Sequence, residues 1–462
     1  MKTLRLLLIA ALLPLLACSP GDKTGETQAG LGGDLNVLMI VVDTMGARHL
    51  GCYSPELTNS PNIDRLAREG VLFRRAYSTA PWTQPAVAST FTSLMPSDVG
   101  VTQIFTTLPD SVTTIAEVMR RHGRWTMGVT SNWIVVDRFG FGQGFEKLND
   151  SPVAEHDAIT DANVTDAAKL VLDRAGRRPF FLYVHYFDPH WHFNHHPDFD
   201  RTSGYTGELT AGMDIDLIRR ETDNLDAADL AYLENLYREE IAFTDHQIGR
   251  LLAHLETLGL ADNTLVIVTA DHGEAFREHG WIGHTANLYD ELIHVPLIFH
   301  LPGKLAPREV DRPASLLDIL PTLAEMVGED PAAHPWQGRS LLGQLDGSAG
   351  GESGRMLLSE VSYVSPDGWP SGDGQTKRFF WTSLRLGDLK LHHDVAADTW
   401  RLYDLGDDPL EQHDLWDASA DRQERLRAAL GAWEAARGRS VAEIQTLDPE
   451  AIKQLRSLGY VN

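Results

Sequence analysis

The sequence predicts an α/β fold: a mainly parallel central sheet flanked by helices, with a smaller C-terminal antiparallel sheet plus helix. Three observations carry that reading. Short continuous apolar runs recur at 36–42, 180–184, 265–269 and 295–299, as in strands buried on both faces. Segments of helical character lie between them, including one at 226–258 with near-helical apolar spacing. Beyond Leu345 the apolar residues fall in shorter alternating runs, the pattern of an antiparallel sheet.

The elements follow in chain order. The run NVLMIVV at 36–42 ends in Asp43. Ser60 and Pro61 open a helix that runs to Glu69 and stops at Gly70. Residues 85–94 and 111–122 read as a second and third helix, and 124–130 as a strand. FFLYV at 180–184 is a buried strand leading into a loop rich in His. In the helix at 226–258, Leu230, Leu233, Tyr237, Ile241, Ile248, Leu252 and Leu255 supply the apolar spacing. On it, Asp245 and His246 read as a capping or surface pair. LVIVT at 265–269 and VPLIF at 295–299 are two further strands. Gly- and Ser-rich residues 346–351 read as a linker. Runs at 379–386, 389–392 and 401–405 then form the small sheet, with a last helix at 421–437 packed on it.

The chain has 462 residues, too many for one ordinary core. The expected division is a large domain over 36–345 and a small α+β subdomain over 352–462. The first residues read as a targeting segment. A basic start at Lys2 and Arg5 precedes an apolar run too short to span a bilayer, ending in Leu15-Leu16-Ala17-Cys18. This resembles a lipobox, so 1–17 is expected to be a lipoprotein signal peptide and Cys18 the acylated residue. The polar, Gly-rich stretch 18–35 then reads as a flexible tether. Ser19, where a retention signal would be Asp, resembles outer-membrane sorting. The expected location is the bacterial cell envelope, at the outer membrane facing the periplasm or the cell surface.

Composition narrows the function classes. The formal net charge of -25 argues against a nucleic-acid partner, which would need a basic surface to neutralise phosphates. With 43% hydrophobic and 23% charged residues, the bulk of the chain is that of an ordinary globular protein. Cys18 and Cys52 are the two cysteines, so acylation of Cys18 leaves Cys52 without an intramolecular disulfide partner.

Three polar clusters follow three buried strands: Asp43; His185, Asp188 and His190; and Asp271 with His272. Ligands gather outside the carboxyl ends of strands in a doubly wound sheet, so residues far apart in sequence can meet there. Two carboxylates and an imidazole suit a divalent cation. Thr83, in Trp82-Thr83-Gln84-Pro85, begins a helix-like run. A hydroxyl there lies where orphan N–H groups and the helix dipole favour an anion, and it reads either as an N-cap or as a nucleophile beside the metal. His190 or His284 would protonate a leaving oxygen or take the proton of an attacking water. Asn132 follows a strand and is a candidate pocket residue. His195 and His196 extend the His-rich loop as side chains able to pick up a metal ion.

The chain resembles the sulfatase family within the alkaline phosphatase superfamily, and the matching motifs run in family order along nearly the whole mature chain. They include Asp43-Thr44, His49-Leu50-Gly51-Cys52-Tyr53, Ser60-Pro61-Asn62, Asp188-Pro189-His190, Asp271-His272-Gly273-Glu274 and Gly283-His284. Later matches are Leu288-Tyr289-Asp290-Glu291, Leu402-Tyr403-Asp404-Leu405, Asp408-Pro409-Leu410-Glu411 and Leu458-Gly459-Tyr460-Val461. The resemblance implies an alkaline-phosphatase-like fold. It implies one divalent cation (Ca²⁺, Mn²⁺ or Zn²⁺) held by Asp43, Asp271 and His272, with Thr83 as both ligand and nucleophile. It implies His190 and His284 as catalytic residues, and Thr44, Asn132 and His185 are further candidates for substrate contact.

The chain also departs from the family pattern. Where sulfatases carry Cys or Ser destined to become formylglycine, it has Thr83, whose methyl group blocks an aldehyde, so no formylglycine is expected. The Arg of the same signature is Val87, and a second metal-binding Asp is Thr44. These features favour a small anionic ester substrate, glycan- or lipid-linked, with phosphate mono- or diester hydrolysis ahead of sulfate ester hydrolysis. Loss of Val87's and Thr44's counterparts also leaves open a non-catalytic, lipid-anchored binding protein.

Overall fold

The computed structural model describes residues 34–153, 158–348, 354–365, 377–416 and 420–437. The signal peptide, nearly all of the tether with Cys18, and the Leu458-Gly459-Tyr460-Val461 motif lie outside the described residues. Among the described residues no helix is long and apolar enough to cross a membrane.

Eight strands make the large sheet: β1 (Asn36–Val42), β2 (Val71–Phe73), β3 (Trp125–Thr130), β4 (Lys147–Asn149), β5 (Phe180–Tyr186), β6 (Thr264–Ala270), β7 (Leu297–His300) and β8 (Arg308–Val310). Their order across the sheet is β8-β2-β7-β6-β1-β5-β3-β4. β1 lies at the centre, parallel to β5 and β6, with Val37 opposite both Phe181 and Leu265. β7 alone runs against its neighbours, antiparallel to β6 and β2. Every residue of β1, β5 and β6 is buried, which accounts for their uninterrupted apolar runs.

Helices cover this sheet: α1 (Pro61–Glu69), α2 (Thr83–Thr92), α3 (Ile115–Arg121), α4 (Asp161–Ala175) and α5 (Ala227–Thr257). α1 turns Ile63, Leu66 and Ala67 inward. Its start is held by Asp245 of α5, which accepts hydrogen bonds from the backbone N–H of Asn62 at 3.1 Å and of Ile63 at 2.8 Å. Asp245 is therefore a buried cap for another helix, not a surface residue. α2 is buried along its whole length and ends at Ser93 in the left-handed region, with φ 57°. It begins two residues before the expected start, and Trp82 rather than Thr83 occupies the N-cap.

The C-terminal sheet has strands β9 (Met356–Ser365), β10 (Lys377–Leu386), β11 (Leu389–Asp394) and β12 (Thr399–Asp404), each antiparallel to the next. Sequence reading missed β9, although MLLSEVSYVS carries its inward set at Leu357, Val361 and Tyr363. These three pack with Tyr77 and Trp82 of the large domain, while the Glu360 N–H donates to the Thr79 carbonyl at 2.8 Å. The last helix, α6 (Ala420–Ala436), lays Leu426 and Leu430 on Leu384, Leu391 and Leu402.

Candidate active site

The carboxyl ends of β1, β5 and β6 lie side by side, and their registers bring Asp43, His185 and Asp271 together. One ligand atom from each falls within 4.8 Å of the other two. Asp43 is fully buried. Its Oδ2 accepts from Asn132 Nδ2 at 2.6 Å and lies 3.5 Å from His185 Nε2. Its Oδ1 lies 3.5 Å from Thr83 Oγ1 and 3.6 Å from His272 Nε2. Asp271 Oδ1 accepts the backbone N–H groups of Thr44 at 3.2 Å and His272 at 2.9 Å. Asp271 Oδ2 and His185 Nε2 are buried with no hydrogen-bond partner, which is the condition expected of atoms that hold a cation. The residues present therefore fit a divalent ion.

The imidazoles are oriented for that task. His272 Nδ1 faces the Gly273 carbonyl at 2.9 Å, so an Nδ1–H donates there and the Nε2 lone pair faces the carboxylates. Its Nε2 lies 3.5 Å from Asp271 Oδ2 and 3.3 Å from Thr83 Oγ1. His185 Nδ1 is similarly fixed, 3.1 Å from the Tyr183 hydroxyl. Gly273 is required between His272 and Glu274 because a Cβ there would collide with the Glu291 carbonyl.

Burial and mutual repulsion set the electrostatics. Burial alone would raise the Asp43 carboxyl, but the His185 imidazole 3.5 Å away and the charges of His190 and His272 hold it below its usual value. Burial, then the charge of Asp43, pushes Asp271 up to about 6. Two carboxylates this close, both desolvated, gain from a dication between them. Burial pushes His190 down to about 4, so its imidazole is neutral at pH 7.

Thr83 stands at the first position of α2, its hydroxyl directed at Asp43 and His272. His190 lies farther out, its ring 4.6 Å from Phe187 and 4.9 Å from His284 between centroids. His284 stacks on Trp191 at 4.0 Å and lies 4.5 Å from His272. Its Nδ1 is 3.1 Å from Oε1 of Glu274, a buried carboxyl that burial raises well above its ordinary range.

Several sequence expectations need revision. His185, read as a substrate contact, is a member of the carboxylate and imidazole group itself. Asn132, also read as a pocket residue, fixes the Asp43 carboxylate and accepts the Ile134 N–H at 2.9 Å through its own Oδ1. Asp188 is a cap: it accepts from the Thr160 N–H at 2.7 Å and the Asp161 N–H at 2.9 Å at the start of α4. Thr44 has φ 55° and is fully buried, its N–H on Asp271 and its carbonyl accepting the Tyr237 hydroxyl at 2.6 Å. Glu274 stood in the sequence only as part of the Asp271-His272-Gly273-Glu274 motif and was given no role there; its contact with His284 Nδ1 comes from the fold.

Residues 35–329 match the family described as Sulfatase, and residues 277–433 match one described as N-sulphoglucosamine sulphohydrolase, C-terminal. Human iduronate 2-sulfatase is 28% identical over 344 residues, which cover 61% of this chain and 62% of that enzyme, so the match spans less than two thirds of its length. Steryl-sulfatase of Rattus norvegicus is 26% identical over 531 residues, covering 91% of this chain and 90% of the relative. The phosphonate monoester hydrolase of Agrobacterium radiobacter superposes with a TM-score of 0.72 at 21% identity, over 87% of this chain and 96% of its own, which shows a common fold. With the Sulfatase match covering most of its length, the chain belongs to the sulfatase family, a family of ester hydrolases.

Proposed function

We propose that the protein is a metal-dependent ester hydrolase that cleaves phosphate mono- or diesters through a covalent intermediate on Thr83. The observation that carries this reading is the Thr83 hydroxyl, held at a helix N-terminus 3.5 Å from Asp43 and 3.3 Å from His272. Asp43, Asp271, His272 and His185 would hold one divalent cation, with Thr83 beside them. That cation would polarise the ester oxygens and favour the ionised hydroxyl. Thr83 Oγ1, its proton lost to solvent, attacks phosphorus as the bond from phosphorus to the departing ester oxygen breaks. The departing ester oxygen takes a proton from His284, whose Nδ1 is anchored on Glu274 so that Nε2 is presented. Water then attacks the phospho-threonine and gives one proton back to His284; the P–Oγ1 bond breaks, Oγ1 leaves in its ionised form, and phosphate (from a monoester) or a phosphomonoester (from a diester) is released. His190, neutral at pH 7 and with its ring 4.9 Å from that of His284, is suited to hydrogen-bond and orient that water.

A sulfate ester substrate is the second reading, favoured by relatives that are named sulfatases. The chemistry of Thr83 weighs against it, since no formylglycine can form there. Val87 is buried in α2 and supplies no cation to the nucleophile. A lipid anchor at Cys18 and a place at the outer membrane complete the proposal, with a small anionic ester as substrate and no nucleic-acid partner. The test is turnover of aryl phosphate monoesters, phosphodiesters and sulfate esters by protein loaded with Mn²⁺, Zn²⁺ or Ca²⁺. Faster sulfate than phosphate turnover would reverse the ranking. No turnover of any of them with metal bound would leave a binding protein.

A further inference from the structure

We propose a second divalent-cation site, formed by the His195 imidazole and the carboxylates of Asp200 and Glu239, where the loop that begins with His190 meets α5. One ligand atom from each of the three lies within 4.8 Å of the other two. The site shares no residue with the strand-end centre and does not rest on the proposed reaction.

Glu239 is the anchor. It projects from α5 and its side chain is fully buried. Its Oε1 accepts the Arg201 N–H at 2.6 Å, and its Oε2 accepts the His196 N–H at 3.0 Å and lies 2.8 Å from His195 Nδ1. Those backbone bonds fix the carboxylate against both limbs of the loop. Asp200 is held by an N–H from Thr202 at 2.9 Å and one from Ser203 at 3.1 Å. His195 is 38% exposed, so the open side has room for water to complete the coordination.

A separate observation is the second buried carboxyl beside Glu239. Glu240, the next residue of α5, is also buried. The ion-pair partners of Glu239 and Glu240 among the described residues are the imidazoles of His195 and His196, at 2.8 and 2.5 Å. A dication at this place would set fixed positive charge against the buried Glu239 carboxylate. One nitrogen and two carboxylate oxygens suit Zn²⁺ or Mn²⁺ better than Ca²⁺, which takes six to eight oxygens. A bound ion would staple the loop to α5 and so steady His190 at its start.

Zinc counting tests this directly. The full chain is stripped with a chelator and equilibrated with Zn²⁺, and bound metal is measured per chain without any assay of turnover. Two zinc ions are expected for the wild type and one each for His195→Ala and Asp200→Asn, whose side chains are exposed enough for the fold to survive their loss. Asp43→Asn combined with Asp271→Asn should also retain one, and adding His195→Ala should remove it. Equal zinc in His195→Ala and wild type overturns the proposal. So does a wild type that binds a single ion lost with Asp43 and Asp271.

Discussion

Thr83 differs from a solvent-facing threonine in what surrounds its hydroxyl: a helix N-terminus, a buried carboxylate and an imidazole. Its reactivity depends on that placement, because an alcohol is a weak nucleophile at neutral pH. Thr83→Ala should lower kcat on an aryl phosphate by about 10³-fold or more, while Thr83→Ser should stay within about tenfold. Steady-state kinetics at saturating metal distinguish these, and an active Thr83→Ala would move the nucleophile elsewhere. Glu274 acts one step removed. Its carboxyl sets which nitrogen of His284 is presented, so Glu274→Leu should lower kcat about 10²-fold with little change in KM. Glu274→Gln keeps an acceptor for Nδ1–H and should recover most of that loss. Equal kinetics for Leu and Gln would show that Glu274 serves packing only. Asp43 and Asp271 were legible because each stands just past an apolar run. His185 was harder to assign, because it lies inside its strand and shares the side of Tyr183. Only the register of β5 against β1 shows that it reaches Asp43.

The strands were legible from the continuity of their apolar runs, but their direction was not. β7 is buried except at His300, yet runs opposite to β6, and a run buried on both faces reads the same in either sense. Helix starts are similar when the cap comes from a distant part of the chain. Ser60 precedes α1 without capping it through its side chain, and Asp245, from α5, accepts its first N–H groups. Asp245→Ala should cost about 1–2 kcal/mol, the ordinary penalty for a lost cap. The pH dependence has a definite sign. Burial raises the Asp245 carboxyl from 3.8 to about 6, so between those values the folded state holds more proton than the unfolded chain. The stabilising contribution is full below about pH 4 and is lost as pH rises through about 6, a swing of roughly 3 kcal/mol. Asp245→Asn cannot ionise and should lack that swing. Urea unfolding of both proteins from pH 4 to pH 7 measures it as a difference, and parallel curves would exclude the shifted carboxyl.

On the scale of the whole molecule, the C-terminal sheet is joined to the large domain by a buried ionic network as well as by apolar packing. Lys390 of β11, with a side chain only 1% exposed, lies 2.6 Å from Asp290 and 3.0 Å from Glu411. Arg385 reaches Asp290 at 3.1 Å, His392 lies 2.8 Å from Glu411, and Glu411 accepts the Asp290 N–H at 2.7 Å. Burial would raise the Asp290 carboxyl, but the charges of Lys390 and Arg385 overcome this and hold it well below its ordinary range. The sequence showed Asp290 and Glu411 as motif residues, and it did not show that they meet, because 121 positions separate them. Breaking such a pair from one side leaves buried charge without compensation, which costs more than the pair itself contributes. Lys390→Met should therefore destabilise the protein by about 3–5 kcal/mol. Adding Glu411→Gln to that variant should restore part of the loss, since one of the abandoned charges is then gone. The check is denaturant unfolding of the two variants followed by tryptophan fluorescence. A double variant no more stable than Lys390→Met would mean that the network holds the sheets by shape and hydrogen bonding rather than by charge.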